Sequence, residues 1–456
     1  MLSTVKVAHN LPKSKTLVNF FRTFRECLLS GFSLNLLSTI ALQGSVLLSS
    51  IVVARLLGIT SFGTFALLTG TATTVAAVAQ GSSGLIATKF VGEHLYRDPV
   101  RVASVLRLCR FFTLTTGALA AIGVFVFAQA IAAGVFGWPE LESMVGIVGF
   151  AIFFQVSASY QYSALQGFGA FKELSRGAFL VGLGHIVFTA VGALTGSAEG
   201  ALVGFALASV LRMGVFIVLL DRVRSNHGVP DYATLDRTDL RMVWHFALPA
   251  TLSGFSTTLC LWLVTVMLAR LPNGLQLVAI LSVANQVRLV VLQLPSVLNA
   301  VSFSVLSRLK GENKMSDFRS VFWSNLCLNQ AFALLAVCTL LAFIEPVLNL
   351  YGSDFSSGRW VLVLLLASIL PEVLATSLYQ LIQSAGRMWY TFFLIVIPRD
   401  LSYLALSALL LTSQGVIAVA SAYLAAQVLS LCATLLVIRL FAAQAIWPKH
   451  TYDRLA

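Results

Sequence analysis

Residues 88–93 read Thr-Lys-Phe-Val-Gly-Glu, and residues 307–312 read Ser-Arg-Leu-Lys-Gly-Glu. Two further stretches return in the same order: Leu-Gln-Gly-Phe-Gly of 165–169 as Ile-Gln-Ser-Ala-Gly of 382–386, and Ala-Arg-Leu of 54–56 unchanged as 269–271. The three offsets are 219, 217 and 215 residues. Three repeats in one order at nearly one spacing predict a duplicated chain with two related halves.

The composition indicates that lipid is the solvent of this chain. Of its 456 residues, 58% are hydrophobic and 11% are charged, and the mean hydropathy is +0.89. Soluble domains carry about 25% charged residues. The net charge of +12 lies in short segments between apolar runs. Because no basic and aromatic stretch stands apart from these runs, nucleic-acid binding is disfavoured.

Apolar runs of about 20 residues, the length that crosses a hydrocarbon core of about 30 Å, predict twelve spans. They lie near 30–53, 63–85, 111–136, 143–165, 176–195, 198–219, 244–268, 276–303, 321–343, 359–383, 389–412 and 415–440. The predicted organisation is a basic cytoplasmic segment (1–29), a six-helix bundle (30–220), a cytoplasmic linker (221–241), a second six-helix bundle (242–441) and a cytoplasmic tail (442–456). The fold class is therefore an all-α polytopic membrane protein.

The distribution of Lys and Arg predicts the orientation. With these spans, 25 of the 30 basic residues fall on one side of the membrane, including Arg212. Three, Arg55, Arg270 and Arg359, fall on the other side. Basic loops are cytoplasmic, so both termini are predicted to be inside. Six spans per half make the halves parallel repeats about a pseudo-two-fold axis along the membrane normal.

Motifs of soluble chemistry are absent from the sequence. It has no Gly-x-x-x-x-Gly-Lys-Ser/Thr phosphate loop, no His-Glu-x-x-His zinc pattern and no Cys-x-x-Cys pair among its six cysteines. We therefore expect no metal and no cofactor. The spans are also poor in catalytic acids and bases, which predicts a transporter and not an enzyme.

Charged residues at membrane depth are functional candidates, because they are costly there unless paired or wet. Arg288 lies near the middle of span eight, and Asn285 shares its helix face three residues earlier. One interpretation is a cationic cavity wall that binds an anionic headgroup. The alternatives are a buried structural ion pair and an arginine that reaches toward the membrane interface.

Three more charged residues lie in the second half. Arg399 and Asp400 follow Pro398 in span eleven; neighbours on a helix point about 100° apart, so we expect them not to pair with each other. Asp400 could carry a proton or cation, or each charge could pair with a neighbouring helix. Glu372 follows Pro371 in span ten and is either a second ion-coupling carboxylate or a neutral, hydrogen-bonded acid.

The first half offers uncharged candidates. Gln166 and Tyr160 in span four could hydrogen-bond or stack on sugars, although tyrosines are also common membrane anchors. His185 in span five is more often a packing residue than a functional one. The charged side chains that are predicted to bind a substrate thus all lie in the second half.

Two stretches resemble a known family. Residues 49–58, Ser-Ser-Ile-Val-Val-Ala-Arg-Leu-Leu-Gly, with 61–65, Ser-Phe-Gly-Thr-Phe, look like the first-helix signature of Wzx-type polysaccharide and O-antigen lipid flippases. Residues 164–172, Ala-Leu-Gln-Gly-Phe-Gly-Ala-Phe-Lys, are also similar to that family. It belongs to the multidrug/oligosaccharidyl-lipid/polysaccharide exporter superfamily.

The resemblance implies a function. Such proteins move undecaprenyl-pyrophosphate-linked oligosaccharides from the cytoplasmic to the periplasmic leaflet of the bacterial inner membrane, by alternating access. It implies an essential arginine in span eight, a placement that Arg288 matches, and partners among polysaccharide polymerase and chain-length machinery. The alternative is a drug/cation antiporter of the same superfamily. A membrane glycan polymerase or ligase is disfavoured, because it would usually need a larger outside loop than this sequence has.

Overall fold

A computed structural model describes residues 33–81, 83–230, 248–311, 315–384 and 388–442, and within these ranges the regular elements are helices. The predicted N-terminal segment 1–29 and the tail from 443 lie outside the described residues. Most of the predicted linker, from 231, also lies outside them, as do Glu312, Ala385 and Gly386 of the repeated stretches. Residues 221–226 form the end of a helix.

The described part of the first half contains six α-helices, a short π-helix and the 3-10 helix Pro139–Leu141. The α-helices and the π-helix are α1 (Ser33–Gln80), α2 (Ser83–His94), α3 (Pro99–Val126), the π-helix Ala130–Phe136, α4 (Glu142–Gly167), α5 (Phe171–Ala193) and α6 (Ala198–Asn226). Capping residues explain where two of these helices, α3 and α6, begin. Asp98 accepts a hydrogen bond from the Arg101 amide at 3.0 Å, and Ser197 accepts one from the Gly200 amide at 3.1 Å, so both cap a helix N-terminus.

The second half follows the same order. It contains α7 (Leu248–Ala269), α8 (Gly274–Gly311), α9 (Met315–Ala342), α10 (Ile344–Asn349), α11 (Arg359–Ser384), α12 (Met388–Thr391), the π-helix Phe392–Val396, α13 (Ile397–Gln414) and α14 (Val416–Val437). Pro398 lies in the first turn of α13, directly after the π-helix. A proline lacks the amide donor that a continuous helix would need there, so the helix changes its hydrogen bonding at this point.

Helix α1 contains two spans. Its backbone breaks at Gly58, where φ is 73° and ψ is 174°. Val46 and Thr73 line one cavity although 27 residues separate them, about 40 Å along a straight helix. The two arms of α1, 33–57 and 59–80, must therefore fold back on each other at the glycine. Glycine adopts this backbone conformation without the steric penalty of a Cβ atom.

The prediction of about twelve spans in two six-helix bundles is confirmed. Ten helices are long and apolar enough to cross a membrane, the first of them being the double span α1, and Gly254–Ala269 in α7 is a shorter apolar helix, all within the described residues. Large apolar side chains are exposed on their outer surface, such as Phe125 at 70% and Leu409 at 74%. Exposed apolar surface on this scale is explained by contact with lipid. The chain is a multi-pass membrane protein.

Among the described residues, the two halves share an apolar core at one end of the molecule. One apolar cluster combines both halves and includes Phe62 of α1 and Phe355, whose rings lie 5.9 Å apart. It fills the end of the molecule at which Arg55 and Arg270 lie, here called the joined end. At the opposite end each half has its own cluster, around Phe90 in the first half and Phe322 in the second.

This opposite end is here called the basic end, because it carries Lys89, Arg97, Lys172, Arg176 and Arg319. Across the two halves, α1 packs extensively against α7 and α8. The halves are thus packed together at the joined end and packed separately at the basic end.

Candidate functional site

A cavity of about 410 Å³ lies within the first half. All of its lining residues come from α1, α4, α5 and α6. Its polar lining includes Gln43, Gln155, Tyr162, Gln166, His185 and Arg212. Gln43 is exposed, so the cavity is open on that side. Gln155 and Arg212 lie near the middle of their helices, which places the cavity at membrane depth.

Arg212 is the cation of this cavity. It lies fourteen residues from either end of α6, about 21 Å along the helix axis. The charge count assigned Arg212 to the cytoplasmic segment after span six, and that assignment is wrong. The physical reason is the length of α6, which extends to Asn226 and so places Arg212 at its centre.

Two hydrogen-bond donors in the cavity lining have no acceptor. The Nε atom of Arg212 and the Nε2 atom of Gln155 are buried and without a hydrogen-bond partner in the described part of the chain. Among the described residues, no carboxylate forms an ion pair with Arg212. Neither atom is open to the cavity in this conformation. What favours a negatively charged ligand is the guanidinium charge of Arg212, which no described carboxylate balances.

The two uncharged site candidates separate in the structure. Gln166 lines the cavity. Tyr160 is 5% exposed and packs in the apolar cluster of the basic end. Tyr162, two residues later, lines the cavity instead, and its hydroxyl lies 3.4 Å from the Ser38 hydroxyl. Contact between substrate and Tyr160 stays a prediction, which this burial disfavours.

Arg288 forms a buried cluster in the second half. Its side chain is 4% exposed, and its Nη1 atom donates to Glu372 Oε2 at 2.6 Å and to the Tyr423 hydroxyl at 2.8 Å. Its Nε and Nη2 atoms donate to Asn285 Oδ1 at 3.1 and 2.9 Å. The guanidinium also lies 4.6 Å from the centre of the Tyr423 ring. Of the alternatives for Arg288, this geometry favours the buried structural ion pair.

Arg399 and Asp400 pair with each other, so the prediction that they do not is wrong. Arg399 donates to Asp400 Oδ1 from Nε at 2.9 Å and from Nη2 at 2.7 Å. The Cα–Cβ directions of helix neighbours diverge, but the long arginine side chain bends back around the helix to reach the carboxylate. Asp400 Oδ2 also accepts from the hydroxyls of Ser256 and Thr257 on α7, at 2.9 and 3.1 Å.

The sequence placed the charge that would bind a substrate in the second half, and the structure places the unbalanced charge in the first half. In the second half, Arg288 and Arg399 each have a carboxylate partner. In the first half, Arg212 lies in an open cavity with no carboxylate partner among the residues that the structure describes. Sequence reasoning missed this residue because it treated Arg212 as a loop charge. The signal was present: Arg212 lies inside the predicted span 198–219 and shares a helix face with Phe205, Ala208 and Ser209, which also line the cavity.

Comparison with known proteins identifies the family. The sequence model of the family described as "Polysaccharide biosynthesis protein" matches residues 52–316, more than half of the chain. The chain belongs to this family. It is also 27% identical over 404 residues to the EPS I polysaccharide export inner membrane protein EpsE of Ralstonia solanacearum, covering 84% of this chain and 88% of that protein.

Solved structures show the same fold. An inward-facing multidrug resistance MATE family transporter of the MOP superfamily superposes with a TM-score of 0.75 and 16% identity, covering 91% of this chain and 98% of that one. An outward-facing MATE family transporter gives a TM-score of 0.68 at the same identity, with coverage of 93% and 96%. At this identity the likeness concerns the two-lobed fold alone. The family model and the EpsE relative confirm the resemblance to polysaccharide-export membrane proteins.

Proposed function

We propose that this chain flips an undecaprenyl-diphosphate-linked oligosaccharide across the bacterial inner membrane, for export of a surface polysaccharide. The observation that carries the proposal is Arg212, which has no carboxylate partner in the described part of the chain and lies in an open, donor-rich cavity at membrane depth. A diphosphate would supply negative charge to balance Arg212, and a guanidinium binds phosphate oxygens in a bidentate way. Family membership and the EpsE relative support the same substrate class.

The cavity size limits which part of the substrate it holds. Ligand pockets commonly measure about 300–1,000 Å³, so about 410 Å³ accommodates a diphosphate with its first sugar and not a whole glycan. The remaining sugars would occupy the space between the halves. The lipid tail would stay in the bilayer while the halves rock between a state open at the basic end and a state open at the joined end.

The orientation follows from the positive charges. The basic end would face the cytoplasm, since basic loops are retained there, and both termini would lie on that side. The present conformation would then be closed toward the periplasm and would receive the substrate from the cytoplasmic leaflet. Polymerase and chain-length proteins would take over the glycan on the other side.

The interior charges disfavour the drug/cation antiporter. Such a site needs carboxylates that are free to bind a cation, whereas Glu372 and Asp400 are each paired with an arginine. Ion coupling through either carboxylate stays a prediction. It would require the ion pair between that carboxylate and its arginine to break.

The test is a leaflet-accessibility assay in proteoliposomes with a labelled undecaprenyl-diphosphate-linked glycan. Arg212→Ala should slow flipping about 10- to 100-fold, the loss expected for a hydrogen bond to a charged group. Arg212→Lys should keep part of the rate. Arg222→Ala is the matched control, because Arg222 lies on the same helix and is exposed. No flipping by the unaltered chain, or an unchanged rate in Arg212→Ala, would overturn the proposal.

A further inference from the structure

Two arginines bind the backbone of opposite halves at the joined end. Arg55 of the first half donates from Nε to the Leu350 carbonyl at 2.7 Å and from Nη2 to the Asn349 carbonyl at 2.9 Å. Arg270 of the second half donates from Nε to the Val135 carbonyl at 2.7 Å and from Nη2 to the Gly134 carbonyl. Each guanidinium thus bridges from its own half to the other.

The two contacts are the same contact repeated. Arg270 follows Arg55 by 215 residues, and Asn349 and Leu350 follow Gly134 and Val135 by the same 215. The donor atoms also match, with Nε binding the later carbonyl and Nη2 the earlier one. One offset that relates both arginines and both acceptor pairs indicates a device built by the duplication, and not two unrelated surface contacts.

The acceptor segments explain why arginine binds there. Val135-Phe136-Gly137 returns as Leu350-Tyr351-Gly352, again at offset 215. Both glycines have a positive φ, 79° and 131°, and each follows a buried aromatic residue at the end of a short helix. The last carbonyls of a helix lack partners within it and carry partial negative charge. A guanidinium satisfies two of them at once.

We infer that Arg55 and Arg270 form a two-fold latch that holds the joined end closed and so sets the balance between the two states of alternating access. The four acceptors lie across the interface between the halves, so the bonds cannot survive separation of the joined end. Both arginines are exposed, which keeps each bond weak enough to break in every transport cycle. The latch is independent of what the cavity binds.

The test measures distances between spin labels in the purified full-length chain, after replacement of the six native cysteines. One label pair, at Glu140 and Asp354, spans the joined end, and another, at Lys172 and Asp317, spans the basic end; all four residues are exposed. Arg55→Ala and Arg270→Ala should each raise the ratio of molecules open at the joined end about tenfold, the equivalent of one weak charge-assisted hydrogen bond. The double variant should exceed both.

The change must be reciprocal. When the joined-end distance lengthens, the basic-end distance should shorten, whereas local unfolding would not shorten it. Arg55→Lys should show a smaller shift, since an ammonium cannot bridge two carbonyls as a planar fork does. Arg359→Ala is the matched control: this exposed arginine lies at the same end but binds Glu345 within its own half, at 2.9 Å. Unchanged distances in the arginine variants, or an equal shift in the control, would overturn the latch.

Discussion

The Nη1 atom of Arg288 lies 2.6 Å from the Oε2 atom of Glu372, and the Tyr423 hydroxyl lies 2.8 Å from Nη1 and 3.3 Å from Oε2. The three groups join α8, α11 and α14, helices that are distant in sequence. Asn285 holds the other edge of the guanidinium. Arg288, which the family resemblance predicts to be essential, is thus neutralised within the second half. Its contribution in this conformation is to hold three helices together.

The first prediction concerns this ion pair. Arg288→Met and Glu372→Met should each lower the stability by about 3–5 kcal/mol, because each leaves the charge of the other side chain uncompensated. The double variant Arg288→Met/Glu372→Met should be far more stable than the sum of the single effects, since no charge is then stranded. Apparent melting temperatures in detergent give the comparison. Additive losses would show that the two side chains act separately.

The second prediction concerns Asp400, which connects α13 to α7. Asp400→Asn should loosen this connection by about 1–3 kcal/mol, because Arg399 loses its carboxylate and two hydroxyls lose a charged acceptor. Thermal unfolding measures the loss. Asp354→Asn serves as the control, since Asp354 is exposed near the joined end. Equal melting temperatures for the two variants would contradict a structural role for Asp400.

The sequence predicted the spans well because hydrophobic length is a local property. Twelve apolar runs, their order and the two halves follow from composition along the chain, and the repeat at Arg55 and Arg270 marks corresponding positions. The structure adds a detail that length alone does not supply. The first two spans meet at Gly58 with no loop between them, which only its backbone angles reveal.

The candidate site was less predictable, because charge compensation depends on side chains far apart in sequence. Arg288 and Glu372 are 84 residues apart, and nothing local to either indicates the pair. Arg212 carried a local signal, because it lies within an apolar run. Whether its charge is balanced depends on which carboxylates of the described chain pack beside it, and the sequence does not show this. Periodicity indicates that a residue is at depth, and only the packed structure indicates which charges cancel.

The third prediction concerns a network that sequence reasoning missed. Asn299 Oδ1 accepts hydrogen bonds from Asn325 Nδ2 at 3.0 Å, Asn329 Nδ2 at 2.8 Å and Ser377 Oγ at 3.3 Å. Asn299→Leu would leave these buried donors without that acceptor and should lower stability by about 1–2 kcal/mol, the range for polar contacts between membrane helices. Asn299→Gln keeps an uncharged amide oxygen as acceptor and should recover part of the loss. Equal melting of both variants would contradict the network's role.

The last prediction concerns Gly63, in the second arm of α1 at the joined end. A Cβ atom there would overlap the Leu275 carbonyl oxygen and lie 2.6 Å from its carbon, and Leu275 belongs to the other half. Backbone cannot move aside as a flexible side chain can, so in Gly63→Ala the halves must part locally. We therefore expect a longer distance between labels at Glu140 and Asp354, in the same direction as loss of Arg55 or Arg270.

Gly44→Ala is the matched control, because Gly44 also lies in α1 but a methyl group added there would meet open space, with no atom within 4 Å. That variant should keep the distance unchanged and gain about 0.5–1 kcal/mol of helix stability. A joined-end distance in Gly63→Ala equal to that in Gly44→Ala would mean that α1 and α8 absorb the methyl group without opening, and that close backbone contact at Gly63 does not control closure.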